Sequence, residues 1–252
     1  MKALHILLHS WRQVTGNLEQ ALRISALPIL AQILLILAAL IIGGMPQAGG
    51  FGTFLALALI WLVATAVMAV NWHRYVLLNE PQSAIPALRG QPLSGYILTM
   101  LKIAILMLPA MFAGAMVLAM VMGLAWRPDD DPQLMRVLMR IFGLVVALLF
   151  MRLSVALPGA AVGAAAPLKT AWAATRGTTG TLLVLTLVLY GLQWVAEWVF
   201  NTLAYMVLAG AMPGAAILLT VLAVAGAWLF TFLSLSVITT LYGHYVEGRD
   251  LR

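Results

Sequence analysis

The chain has no cysteine among its 252 residues. That excludes disulfide stapling, thiolate metal sites and cysteine nucleophiles. Charge is scarce too. Asp, Glu, Lys and Arg make up 9% of the residues, where a soluble domain carries ~25%. A surface so poor in charge cannot face water over its whole area. A soluble globular enzyme, a nucleic-acid-binding module and a disordered chain are thereby excluded. Apolar residues are abundant: 63% of the chain is hydrophobic and the mean hydropathy is +1.03. The composition is that of an integral membrane protein. Six spans of ~20 residues would use ~120 residues. The remainder makes loops and short amphipathic helices, but no separate soluble catalytic domain.

Six apolar runs are long enough to cross a bilayer, at about 24–42, 51–70, 98–125, 137–158, 181–208 and 214–241. The first begins too late and runs too long for the core of a signal peptide, so it is expected to be an uncleaved transmembrane helix. Residues 3–22 precede it. There Leu4, Leu7, Leu8, Trp11, Leu18 and Leu22 recur at helical spacing, opposed by Lys2, His5, His9, Arg12 and Glu19. Such an amphipathic segment suits the membrane interface, with Thr15-Gly16-Asn17 interrupting or capping it.

The net charge of +6 is informative in its placement. Lys2, Arg12, Arg23, Arg74, Arg89, Lys102, Arg152, Lys169, Arg176, Arg249 and Arg252 fall on one side of the spans. Only Arg127, Arg136 and Arg140 fall on the other. Basic residues collect on the cytoplasmic side, so both termini are expected in the cytoplasm, as an even number of spans requires. Asp129, Asp130 and Asp131 lie on the outer side, bracketed by Pro128 and Pro132. They read as a solvated loop rather than a cation site.

The chain also carries signs of a three-fold repeat of helical hairpins, each copy opened by a cytoplasmic amphipathic entry helix. The entries are 10–17, 85–90 and 171–178, in which Trp11 matches Trp172 and Gly16 matches Gly177. The exits are His73-Arg74-Tyr75-Val76 and His244-Tyr245-Val246, with Arg152 in the middle copy. Coincidence is the alternative, since Trp, Tyr and Arg are expected wherever a span meets headgroups.

Polar residues inside spans are costly and mark candidate sites. Tyr190, Gln193, Glu197, Asn201 and Tyr205 step by three or four and so share one helical face. That face is expected to point into the bundle, because Glu197 against acyl chains would lose its solvation. Candidate ion-pair partners are Arg140 (or Arg136) and Arg152, with depth favouring Arg140. Glu197 then acts either as a proton- or substrate-binding carboxylate or as part of a helix–helix clamp. The clamp is favoured, because Gln32 is the only other strongly polar residue deep in a span. Candidate lipid-headgroup contacts are Trp11, Arg12, Trp72, His73, Arg74, Trp172 and Arg176, the alternative being interfacial anchoring. Pro158 is expected to disrupt the fourth span. No phosphate loop, dinucleotide fingerprint, zinc-helix motif or nucleophile triad is present, and the His5/His9 pair lacks further ligands.

The stretches Trp11 to Asn17, Trp72 to Leu78, Arg152 to Pro158 and Ala171 to Gly177 resemble a broad group of bacterial six-span inner-membrane proteins. That group is similar to the membrane domain of some glycerophosphodiester phosphodiesterases and to YciC-like proteins. The phosphodiesterase activity of that group sits in a separate soluble barrel, for which these 252 residues are expected to leave no room, so the activity is not implied. The resemblance implies a bacterial inner-membrane protein tied to lipid or envelope homeostasis.

The expectation is therefore an all-α polytopic bundle forming one transmembrane domain, with membrane lipids as partners. No enzyme activity, metal, cofactor or nucleic-acid partner is expected. It would organise lipid or a partner protein. The alternative is a transporter or channel for a small solute or lipid that uses Glu197.

Overall fold

The computed structural model describes residues 2–43, 50–81, 90–125, 132–210 and 214–251. Among them the regular structure is entirely helical: α1 (Lys2–Thr15), α2 (Leu18–Gly43), α3 (Phe51–Leu78), α4 (Gly90–Ala125), α5 (Pro132–Ser154), α6 (Ala156–Ala161), α7 (Pro167–Ala174), α8 (Thr179–Leu208) and α9 (Ala216–Tyr245). Six stretches are long and apolar enough to cross a membrane: Leu18–Ala39, Phe51–Leu78, Pro92–Val121, Met135–Ala161, Thr179–Val207 and Ala216–Tyr245. The chain is an all-α polytopic helix bundle. Arg89, Arg127, Asp129 to Asp131 and nearly all of the second entry segment lie outside the described residues.

Local chemistry sets the breaks. The α1/α2 boundary falls at Gly16-Asn17, as expected. The Gly16 N–H donates to the Arg12 carbonyl at 2.8 Å, and Asn17 Nδ2 donates to the Gln13 carbonyl at 2.8 Å. These bonds satisfy the last carbonyls of α1. A Cβ on Gly16 would lie 2.9 Å from the Arg12 oxygen, so only glycine fits there. Leu18 and Leu22 thus belong to α2 rather than to the amphipathic segment. The fourth span breaks between Ser154 and Ala156. Pro158 has no N–H to give the Ser154 carbonyl, and its ring crowds that turn. α3 runs to Leu78, well past the end expected from hydropathy, and closes with Asn79 in the left-handed region at φ 53°.

Burial is concentrated at one end. On α3 nearly every residue from Ala64 to His73 is buried, whereas Phe51, Phe54, Leu59, Ile60 and Trp61 are exposed. On α8 the buried positions are Leu182, Leu185, Thr186 and Leu189; from Leu192 to Thr202 every residue is exposed. On α9 burial begins at Phe232, after the exposed Ile217, Leu218, Val221 and Leu222. The packed end is the one where α1, α6, α7 and the C-terminal segment sit, with Arg12, Arg74, Arg152, Lys169, Arg176 and Arg249. It is called the basic end here; the other is the far end. The three hairpins α2–α3, α4–α5 and α8–α9 are held together at the basic end by α1 against α8 and α9, and by α6 against α3, α4 and α9.

The repeat has a structural counterpart in its first and third copies. Buried residues Ser10, Val14, Ala21, Ile24 and Ser25 are matched at a constant spacing of 161 by the buried Ala171, Thr175, Leu182, Leu185 and Thr186. Ser25 and Thr186 both donate their hydroxyls to the carbonyl four residues back, each at 2.8 Å. At the same spacing Gln32 on α2 corresponds to Gln193 on α8.

Glycines let aromatic rings bring helices close. A Cβ on Gly114 would strike the Phe142 ring, one on Gly143 the Tyr190 hydroxyl at 2.5 Å, and one on Gly159 the Tyr242 ring at 2.8 Å. Small residues at such points are how membrane helices gain van der Waals contact without a hydrophobic driving force.

Candidate functional site: a polar cleft between α5 and α8

The stripe on α8 exists as the spacing predicted, but its orientation differs. Gln193, Glu197, Asn201 and Tyr205 are exposed rather than packed in the bundle. The cause is the burial gradient: α8 enters the core only up to Tyr190, and its far half lines an open cleft. That cleft has a volume of about 390 Å³. α8 contributes Trp194, Glu197, Trp198, Asn201, Thr202 and Tyr205 to it, and α5 contributes Arg140. Glu197 stands 11 residues from the far end of α8 at Leu208, about 16 Å along the axis. Arg140 stands eight residues from the far end of α5 at Pro132, about 12 Å. Both charges therefore lie below the far end of the bundle, within the apolar stretches Met135–Ala161 and Thr179–Val207.

They do not neutralise each other. Arg140 places its guanidinium carbon 4.3 Å from the centroid of the Trp194 ring. Glu197 accepts a hydrogen bond from Gln193 Nε2 at 3.0 Å through one oxygen. Among the described residues no ion pair joins Glu197 to Arg140, to Arg136 or to Arg152. Depth brought Arg140 into the same cleft as Glu197, as expected, but Trp194 takes its charged face. Arg152 is elsewhere, 3.9 Å over the Trp172 ring at the basic end, with its Nε buried and without a partner. Tyr190 points away from the cleft toward Gly143. It borders a second cavity, of about 210 Å³, with Ser154, Thr186, Gln193 and Ser234 among its polar lining.

The expected headgroup contacts divide in two. Trp11 and Trp172 are 41% and 40% exposed, and Arg12 and Arg176 are exposed beside them, so these four face outward at the basic end. Trp72 and His73 are fully buried and cannot touch a headgroup. The Trp72 indole donates to Ser236 Oγ at 2.9 Å and its ring packs edge-on against Phe232. His73 Nδ1 lies 2.7 Å from Thr239 Oγ1. The one hydroxyl proton of Thr239 goes to the Leu235 carbonyl at 2.6 Å, so the histidine Nδ1 is the donor and its Nε2 is left buried without a partner. Arg74 is committed to Glu80 through two bonds, at 3.0 and 2.7 Å, and to the Ala161 carbonyl at 3.0 Å. It ties the end of α3 to α6. The cluster from Asn71 to Tyr75 forms a structural seam.

That seam was not legible in the sequence. Besides the α3–α9 bonds it includes Ser10 to Thr240 at 3.0 Å, Trp228 to Ser25 at 2.8 Å, and Tyr75 to Asn17 at 2.6 Å. Each joins residues far apart in the chain, through hydroxyls common in apolar spans. The place of Trp194 and Trp198 beside Glu197 in the cleft was also missed; Trp194, three residues before it, is its neighbour on the helix, whereas spacing alone does not put Trp198 there. Among the described residues no cluster of three potential metal ligands occurs.

Compared with family models, curated proteins and solved structures, the chain matches none.

Proposed function

We propose that the protein is a non-enzymatic integral membrane protein of the bacterial inner membrane, with both termini cytoplasmic, that organises lipid. One observation carries this reading. The polar stripe of α8 lies in an open cleft at membrane depth, and its charges are not consumed by packing. A structural clamp would have joined Arg140 to Glu197. Charged groups held at that depth without mutual pairing mark a place where a polar group is meant to enter. The basic end supports the same reading. Leu4, Leu8 and Trp11 are exposed on α1 beside Lys2 and Arg12, the pattern of a helix lying in an anionic interface. The resemblance of the stretches around Trp11, Trp72, Arg152 and Trp172 to six-span inner-membrane proteins is part of this reading.

The test is purification in native membrane patches followed by mass spectrometry of co-purifying lipids and proteins. The expected result is a lipid enriched above its share of the membrane, with that enrichment reduced in a monodisperse variant carrying Arg140→Gln and Glu197→Gln together. No specific lipid, or equal enrichment in the variant, refutes the reading; a stoichiometric protein partner in place of lipid would redirect it.

A transport function is the second reading, and the one-sided opening favours it. The far half is open at the cleft, and Trp72, Phe232, Leu182 and Leu241 are packed between it and the shallower cavity beside His9 and Arg249 at the basic end. That is one of the two states alternating access requires. Solute or proton flux into sealed proteoliposomes, lost with Glu197→Gln alone, would support transport over static lipid organisation.

A further inference from the structure

From the charge arrangement of the α5–α8 cleft we infer that its ligand is a zwitterion carrying a phosphate and an ammonium group, as in the headgroup of an aminophospholipid. The inference rests on the lipid-organising reading and names the chemistry that reading leaves open. The cleft holds one cation and one anion on opposite walls, Arg140 on α5 and Glu197 on α8. An anionic ligand alone would be drawn to Arg140 and repelled by Glu197; a cationic one would meet the reverse. A neutral ligand would leave both charges unpaired in a medium of low dielectric, which is costly. A ligand with both charges satisfies both walls at once.

The neighbouring groups agree with that polarity. The Arg140 guanidinium carbon lies 4.3 Å from the Trp194 centroid and no hydrogen bond from Arg140 occurs among the described residues, so its N–H donors can receive phosphate oxygens. Glu197 uses one oxygen for Gln193 and has the other free for an ammonium. Trp198 and Tyr205 line the same cleft, and aromatic faces attract ammonium groups within about 6 Å. Asn201 and Thr202 line the same space, the Thr202 hydroxyl donating to the Trp198 carbonyl at 2.9 Å. The volume of about 390 Å³ lies in the ~300–1,000 Å³ range of small-molecule sites. An apolar cavity lined by Trp194, Val195 and Trp198 adjoins the cleft on α8, so acyl chains attached to the headgroup have an apolar surface to follow.

The experiment is native mass spectrometry of the purified protein after exchange into vesicles holding equal parts of phosphatidylethanolamine and phosphatidylglycerol. Wild type should retain the ethanolamine lipid in preference by about tenfold, the size of one charge-assisted hydrogen bond. Glu197→Gln should abolish the preference while lipid is still retained, because the phosphate contact at Arg140 remains. Arg140→Gln should lower retention of both lipids. Both variants must elute as monodisperse protein with the melting temperature of wild type. A conservative Asn201→Ser variant serves where either charge variant fails that check, and should weaken retention several-fold without changing selectivity. A preference for phosphatidylglycerol, or an unchanged preference in Glu197→Gln, overturns the zwitterion while leaving the lipid reading standing. Retention of no lipid by wild type overturns both. If soluble phosphoethanolamine displaces the lipid at equal concentration, the ligand is the free zwitterion and the acyl chains play no part.

Discussion

If the α3–α9 seam holds the basic end together, its removal should cost far more than loss of an equally large side chain at the far end of the same helix. Trp72 is fully buried, with its ring centroid 4.9 Å from that of Phe232 and its indole bonded to Ser236 at 2.9 Å. Truncation to alanine should destabilise by about 3–5 kcal/mol, the range for buried aromatic residues cut to alanine. Trp72→Phe keeps most of the ring but loses the donor, so about 1 kcal/mol is expected from the bond, plus a small packing loss. Trp61, three turns earlier on α3, is 44% exposed, so Trp61→Ala should change stability by less than about 0.5 kcal/mol. A double-mutant cycle of Trp72→Phe with Ser236→Ala isolates the bond; couplings of this kind in membrane bundles average about 0.6 and reach about 1.7 kcal/mol. The assay is resistance to pulse proteolysis as the mole fraction of SDS rises in mixed micelles. Equal costs for Trp72→Ala and Trp61→Ala would refute a core confined to the basic end. Zero coupling with Ser236 would refute the bond as a contributor, whatever the cost of losing the ring.

Three further outcomes are expected. Gly159→Leu should destabilise by at least about 1–3 kcal/mol in the same proteolysis assay, because a Cβ there already meets the Tyr242 ring at 2.8 Å, and Tyr242→Ala should recover part of that loss. Arg74→Ala should lower the melting temperature more than Glu80→Gln, since it removes both the carboxylate pair and the bond to the Ala161 carbonyl; Arg74→Lys should fall between, having lost the two-pronged geometry. The absence of cysteine makes the chain ready for single-cysteine mapping in intact spheroplasts. Gly50→Cys should react with a membrane-impermeant maleimide added outside and Thr170→Cys should not, while the opposite pattern would invert the orientation drawn from the basic residues.

The fold class was legible because it depends on a bulk property. Long apolar runs have few ways to satisfy their backbone in lipid, and helices are the way open to this pattern. The breaks were legible where a single residue dictates them, as at Gly16 and Pro158. Helix ends were not. Hydropathy falls at Asn71 because the side chains turn polar, yet α3 continues, since the partners of Trp72 and His73 lie 164 and 166 residues away on α9. A Trp-His-Arg-Tyr cluster at the end of a span has the same composition whether it sits in a headgroup layer or in a buried seam. Only the location of Ser236 and Thr239 separates the two, and hydroxyls in apolar helices carry no address.

The candidate site was legible in a different sense. The spacing of Tyr190, Gln193, Glu197 and Asn201 fixed one face of α8, because that depends on helix geometry alone. Whether the face turns inward depends on how far the bundle is packed, and here packing stops partway along each helix. The principle that predicted an inward-facing Glu197 still applies: a carboxylate at that depth does not face acyl chains bare. It is met by Gln193 on its own helix and by a cleft wide enough for a polar occupant, rather than by burial. Had Arg140 closed on Glu197, the same four residues would have been an ordinary clamp. Trp194 decides between the two. By holding the guanidinium against its ring, it keeps the two charges of the cleft apart and available. Trp194→Ala should therefore release Arg140 to pair with Glu197, turning a binding cleft into a clamp. The expected outcome is a protein at least as stable as wild type that has lost its lipid selectivity, and a loss of stability with selectivity intact would refute that role.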